Sequence, residues 1–239
     1  MTQALRIISS MATKQLLVDL IDLYQQTQRQ AQASPGVQPQ EIQLESVGGV
    51  DAAKRVQAGE AFDIVALASN AIEQLMAAGK LVAGSRVDVA NSGVAVAVQA
   101  GAARPDISTQ AAVKQTILNA RSLGYSTGPS GVQLAKLFER WGIAAQIKSR
   151  IVTAPPGLPV GSLVAKGDVA LGFQQLSEMV NQTGIDVLGP LPPDIQITTT
   201  FCAALAATST QADAVRALLA FFASPVTADI KRRNGMEPV

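Results

Sequence analysis

From residue 5 onward, short apolar runs alternate with amphipathic stretches of helical period, and few architectures accept that rhythm. Leu5-Arg6-Ile7-Ile8-Ser9 has the apolar density of a buried strand. The stretch from about Thr13 to Arg29 then repeats Leu16, Leu17, Leu20, Ile21, Leu23 and Tyr24 at helical spacing. Ala33-Ser34-Pro35-Gly36 reads as a loop, and Ile42 and Leu44 mark the next strand. A helix over Asp51–Ala58 is stopped by Gly59, which suits the position after a helix end. Phe62–Leu67 is a third strand, and Asn70–Ala78 a third helix, stopped by Gly79. Strand, helix, strand, helix, strand predicts parallel strands joined by right-handed crossovers.

A long apolar strand is expected over Ser92–Val98, followed by a helix over about Thr109–Ala120 and a second series of the same kind. Its strands are Leu123–Tyr125, Ile151–Thr153 and Val169–Phe173. Its helices lie near Gly131–Trp141, Val160–Lys166 and Gln175–Val180. Gly189-Pro190-Leu191-Pro192-Pro193 reads as a rigid turn. Another long strand follows over Ile197–Leu205, then helices over Gln211–Ala223 and Val226–Asn234. A chain that leaves one lobe, builds a second and returns needs two crossings, and the two long strands are the natural ones. The expectation is an α/β protein of two Rossmann-like lobes. Residues 1–90 plus 200–239 form the first lobe and 91–199 the second, with a small-molecule cleft between them.

Composition narrows the function classes. Hydrophobic residues at 48% and charged residues at 15% belong to a globular chain rather than a disordered one. Nineteen basic residues against eighteen acidic leave no basic stripe beyond Lys231-Arg232-Arg233, read here as the basic last turn of a terminal helix. Nucleic acid is therefore not an expected partner. The single cysteine, Cys202, excludes an intrachain disulfide and sits in an apolar run as a small hydrophobe. Histidine is absent, which removes Ser-His-Asp and Cys-His catalysis and His-based zinc sites. No metal and no cofactor is expected. No segment approaches the ~20 apolar residues of a membrane span. Without a basic and apolar leader, the sequence as written predicts a cytoplasmic protein, or a periplasmic one if it is a mature exported form.

In open α/β sheets, ligands bind beyond the carboxyl ends of strands, beside helix N-termini. Four loops fall there. Ser9-Ser10-Met11-Ala12-Thr13 offers hydroxyls and amides for an anionic oxygen, or an ordinary N-cap at Ser10 or Thr13. Ser46-Val47-Gly48-Gly49 lets the backbone approach a ligand closely, or makes a tight turn. Ser126-Thr127-Gly128-Pro129-Ser130-Gly131 opens a helix as an anion nest, without the Lys-[Ser/Thr] of a nucleotide P-loop. The fourth pairs the proline-stiffened loop around Gly157 with Gln174 and Gln175, amides able to hydrogen-bond a carboxylate.

The order of these segments resembles the substrate-binding proteins of molybdate-type ABC transporters over almost the whole chain. Ser9-Ser10-Met11, Ala53-Lys54-Arg55-Val56-Gln57-Ala58-Gly59 before Phe62-Asp63-Ile64, Gly128-Pro129-Ser130-Gly131, Val169–Phe173 and Ile230–Met236 carry the resemblance. It implies the type II periplasmic-binding-protein fold and two lobes closing by a hinge over an anion; a transporter partner is compatible with it but not indicated by these residues. Of the family's oxyanion ligands, the first serine corresponds to Ser10. The second falls at Gly48-Gly49, the backbone contacts near Ser130 and Gly157, and the tyrosine at about Gln175.

A pocket with glycine and glutamine in place of serine and tyrosine suits a small anionic organic acid better than tetrahedral molybdate. Binding of such a carboxylate is the leading expectation. The alternative is a cofactor-free isomerase of unsaturated polycarboxylates, since aconitate isomerase is similar to molybdate-binding proteins in the same way. Residual oxyanion binding comes third. Glu45, Asp51, Lys14 and Tyr125 lie near the loops as candidate bases, each also readable as a surface or capping residue.

Overall fold

The computed structural model describes residues 4–31, 40–155 and 157–239. The predicted loop at residues 33–36 and Pro156 lie outside the described residues. In chain order the elements begin β1 (Leu5–Ser10), α1 (Lys14–Ala31), β2 (Ile42–Val47), α2 (Gly49–Gln57), β3 (Ile64–Ala68), α3 (Ser69–Ala77) and β4 (Val87–Gln99). They continue with α4 (Gln110–Asn119), β5 (Leu123–Ser126), α5 (Pro129–Arg140), α6 (Ala144–Ile147), β6 (Ile151–Ala154), α7 (Val160–Lys166), β7 (Leu171–Gln175) and α8 (Leu176–Met179). The last are β8 (Ile185–Pro190), β9 (Thr198–Leu205), α9 (Ala212–Ala223) and α10 (Ala228–Arg233). The chain divides into two compact units, Met1–Asn91 with Thr200–Val239, and Ser92–Thr199.

In the first unit, β2, β1 and β3 run parallel and β9 pairs antiparallel with β3. Alternate strand residues cover opposite faces, as the period of two demands. Leu5, Ile7, Ile64, Ala66, Phe201 and Ala203 pack beneath α1, α9 and α10. Ile8, Val65, Leu67, Cys202 and Ala204 pack beneath α2 and α3. Burial on both faces explains why β3 reads as a continuous apolar run rather than an alternating one. Cys202 is fully buried and its thiol donates to Asp88 Oδ1 at 3.1 Å. Burial first, then the Asp88 carboxylate, pushes that thiol up to about 12, so it stays an inert S–H. The basic end of α10 is not uniformly solvated: Arg232 pairs with Asp229, while Lys231 is buried, which lowers its ammonium pKa.

In the second unit the order is β6-β5-β7-β4-β8, with β6, β5 and β7 parallel and β4 antiparallel to both its neighbours. One face carries Val94, Val96, Leu123, Leu171 and Phe173 under α4, α5 and α6. Beneath α7 and α8 lie Ala95, Ala97 and Ala154 on the other face. Two glycines in register set how closely α7 approaches. A Cβ at Gly172 would lie 2.5 Å from Val164 Cγ2, and one at Gly124 3.2 Å from Val160 Cγ1, both on α7.

Two expectations need correction here. The strand predicted at 169–173 starts two residues later, because Gly167 turns left-handed and the amides of Asp168 and Val169 close back on Leu163 O. The turn predicted from Gly189 begins inside a strand: Gly189 and Pro190 end β8, an edge strand on β4 where a missing N–H is tolerated. The Gly172→Ala change is expected to cost about 1–3 kcal/mol in denaturant unfolding, the range for overpacking. Adding Val164→Ala should recover part of that loss; no recovery would show that the contact is not the cause.

Candidate functional site

The parallel strands of the first unit deliver Ser10, Val47 and Ala68 to one edge. Ser9 is fully buried and its hydroxyl lies 2.7 Å from that of Ser46 on the adjacent strand, so it ties β1 to β2. Ser10 behaves differently. It precedes the short 3-10 turn Met11–Thr13 but its side chain does not cap it, and among the described residues its Oγ meets Thr13 Oγ1 at 3.3 Å. Ordinary N-capping does not account for it. Gly48 begins α2 and no side chain caps that helix either. The structure brings Ser10 and Gly49 together: a Cβ on Gly49 would sit 3.5 Å from Ser10 Cβ. A hydroxyl beside an uncapped helix N-terminus is an arrangement suited to an anion. Ser69, opening α3 at the end of the neighbouring β3, belongs to the same edge and was not among the sequence candidates.

The second unit builds its own version at the ends of β5, β6 and β7. Gly128 precedes Pro129, which suits the first helical position, and no side chain caps α5. The Gly128 amide donates to Ser126 Oγ at 3.3 Å. Ser130 is buried, Thr127 is exposed, and a Cβ on Gly131 would come 1.7 Å from the Ser126 carbonyl oxygen. Gly157 has φ +81°, a left-handed value that favours glycine, in the exposed loop before α7.

The two glutamines have opposite fates. Gln174 Oε1 accepts from the amides of Val160 and Gly161, at 2.8 and 3.4 Å, and so closes the N-terminus of α7 from within. Its Nε2 donates to Glu178 Oε2 at 2.6 Å. Gln175 Nε2 donates to Thr199 Oγ1 at 2.7 Å, while its Oε1 is buried with no partner.

The residue that sequence reasoning passed over is Glu178. Burial raises its carboxyl, only partly offset by the hydrogen bond from Gln174, to about 7. The signal available was a glutamine and a glutamate four apart across a strand end, too common to single out. The bases considered from sequence fare worse. Glu45 is paired with Arg55, whose hydrogen bond holds it below the usual carboxylate range. Asp51 lies 3.9 Å from Lys54, Lys14 is exposed, and burial pushes the Tyr125 phenol up. Among the described residues no cluster of three or more acidic or sulfur ligands could hold a metal ion, and no helix is long and apolar enough to cross a membrane.

A family model for bacterial extracellular solute-binding proteins matches residues 5–237. The chain belongs to that family. Among curated proteins this solute-binding protein is 39% identical over 188 residues to aconitate isomerase from Pseudomonas sp, covering 77% of this chain and 71% of the relative. Among solved structures it is similar to the periplasmic molybdate-binding protein of Azotobacter vinelandii. That match has a TM-score of 0.72 and 16% identity over 97% of this chain and 98% of the other. It is likewise similar to the sulfate-binding protein SubI of Mycobacterium tuberculosis, with a TM-score of 0.75 and 15% identity over 100% and 88%. At such identities the likeness shows the fold, that of the type II periplasmic-binding proteins.

Glu178 gives a pH prediction. Burial raises its folded pKa above the ordinary glutamate value of about 4.5, so folding favours its neutral form over the charged one. The stability it contributes is complete below about 4.5 and lost as pH rises through about 7. The melting temperature of the wild type should fall over that window, and Glu178→Gln should flatten the fall. An unchanged slope in the variant would assign the loss to other groups.

Proposed function

We propose that this solute-binding protein takes a small unsaturated polycarboxylate and isomerises it, as an aconitate isomerase does, by allylic proton transfer without a cofactor. The relationship to the Pseudomonas enzyme carries this reading. At 39% identity over 77% of this chain it stands well above the 16% and 15% identities to the molybdate- and sulfate-binding structures named above. The residues present support it chemically. Uncapped helix N-termini beside hydroxyls suit carboxylates, and a base for a chain without histidine must be a tuned carboxyl or another unusual group.

Glu178 is the group in this chain suited to that role, since a proton-transfer residue works best with a pKa near the working pH. As carboxylate it removes a proton from the methylene beside the double bond. The C–H electron pair shifts the double bond by one position. The proton then returns to the far alkene carbon and the carboxylate is regenerated. Membership in a family of extracellular proteins supports a periplasmic setting over a cytoplasmic one.

A second reading, binding of an organic acid without turnover, is favoured by the hydrogen bond that holds Glu178 to Gln174. Incubation with cis-aconitate, followed by NMR for the trans isomer, separates the two. Conversion by the wild type, reduced about 100-fold or more in Glu178→Gln, is expected for a group that moves the proton. Thermal stabilisation by cis-aconitate with no conversion would leave the binding reading. Stabilisation by molybdate alone would remove both. Loss of a hydrogen bond to a charged ligand costs about 1.5–3 kcal/mol, so Ser10→Ala should weaken cis-aconitate binding about 10- to 100-fold. Unchanged affinity would take Ser10 out of the site.

A further inference from the structure

The unpartnered oxygen of Gln175 is the least expected polar atom in the described residues. Gln175 is only 4% exposed, and its Nε2 is held by Thr199, yet Oε1 is buried without a donor. Such an atom costs about 1–3 kcal/mol relative to one that is satisfied. Its position follows from register. Gly124 pairs with Gly172, so Gln174 lies level with Ser126 and Gln175 one residue further, level with Thr127. Residues 171, 173 and 175 share one face of β7, and Phe173 on that face meets Phe138 of α5 with ring centroids 6.3 Å apart. Gln175 thus stands on the α5 side of the sheet, at the end where α5 begins. That beginning, Gly128-Pro129-Ser130-Gly131, has no capping side chain. One end of the second unit therefore combines donors for an anion with an acceptor that needs a donor.

We infer that Gln175 Oε1 accepts a hydrogen bond from a protonated carboxyl of the ligand, so that the chain takes a polycarboxylate with one carboxyl still carrying its proton. The inference rests on the isomerase reading for its meaning, though its binding test does not. A bare oxyanion has no hydrogen to offer, and an ionised carboxylate would face the amide oxygen with like polarity. A protonated carboxyl satisfies both features, its O–H going to Gln175 and a neighbouring carboxylate to the α5 amides.

The consequence for the reaction is direct. Removing a proton from carbon conjugated to an ionised carboxylate builds a second negative charge on the same group. With that carboxyl protonated, the electrons released from the C–H bond enter a neutral acid, and only one charge develops. Gln175 would serve as an acceptor that keeps the activating proton in place, while the base takes the one on carbon.

Proton uptake on binding tests this. Tricarballylate, a saturated tricarboxylate with no double bond to move, is titrated by calorimetry near neutral pH in buffers of different ionisation enthalpy. Of the strand ends and the short helix at this end, β5 carries the titratable Tyr125 and α8 carries Glu178. Those of α5, Lys136, Glu139 and Arg140, lie beyond its first turn, and the second-unit part of β4 carries none. Glu178→Gln therefore serves as the background that silences Glu178, whose carboxyl burial pushes up to about 7. Uptake of about one proton per ligand is expected in wild type and in Glu178→Gln, falling to near zero in Gln175→Met and Gln175→Leu. Melting temperatures of the unliganded variants report whether each is folded, and a folded member of the pair decides. Uptake that persists in a folded Gln175 variant, or that is absent from the wild type, overturns the inference. Tricarballylate that does not bind overturns it together with the polycarboxylate reading. Uptake as expected, with no conversion of cis-aconitate, would leave the inference standing and remove only the isomerase.

Discussion

A side chain at residue 131 would place its Cβ 1.7 Å from the carbonyl oxygen of Ser126, inside any possible contact distance, and the geometry of the second unit follows from that constraint. Only glycine lets α5 start so close to the end of β5. The start is then made by Gly128 and Pro129, neither of which brings a polar side chain to satisfy the first amides. Unsatisfied amides at a helix N-terminus are a modest cost in water and a ready partner for negative charge. The first unit reaches the same result with different residues. Gly48 opens α2 uncapped, Gly49 approaches Ser10, and the Ser10 hydroxyl is left outside any cap.

Much of this was legible in the chain. Burial on both faces makes β3 an uninterrupted apolar run, and glycines at 59 and 79 stop α2 and α3 in the left-handed conformation. The loops that carry Ser10, Gly49, Ser126 and Gly131 announce themselves by composition and by their place after strands. What stayed hidden depends on partners far apart in sequence. The start of β7 is set by Leu163 O receiving two amides from the turn after α7, which no local pattern reveals. β8 was lost because Gly-Pro reads as a turn, whereas at a sheet edge proline ends a strand without sacrificing a ladder bond.

The adjacent glutamines show the same limit at the level of chemistry. In sequence, Gln174 and Gln175 are indistinguishable as ligand amides. A strand sends them to opposite faces, and one finds the α7 N-terminus while the other finds Thr199. Gln174 is then occupied as a cap, which denies the α7 amides to a ligand and holds Glu178 within 2.6 Å of its own amide nitrogen. A neutral amide as the neighbour of that carboxyl, rather than an arginine or lysine, lets burial dominate and keeps the group near neutrality instead of pinning it ionised.

Gln175 bears on which anions suit this end of the molecule. Sites for fully ionised oxyanions gain from donors alone, because every oxygen of the ligand is an acceptor. An acceptor placed among those donors is neutral at best toward such a ligand and repulsive when close. It becomes favourable only toward a molecule that carries hydrogen on oxygen or nitrogen. The chain keeps donors at the α5 N-terminus and sets an amide oxygen on the same side of the sheet, so its polarity is mixed where a bare oxyanion asks for one sign. A polycarboxylic acid at partial ionisation presents that mixture, with charge on one carboxyl and a proton on the next.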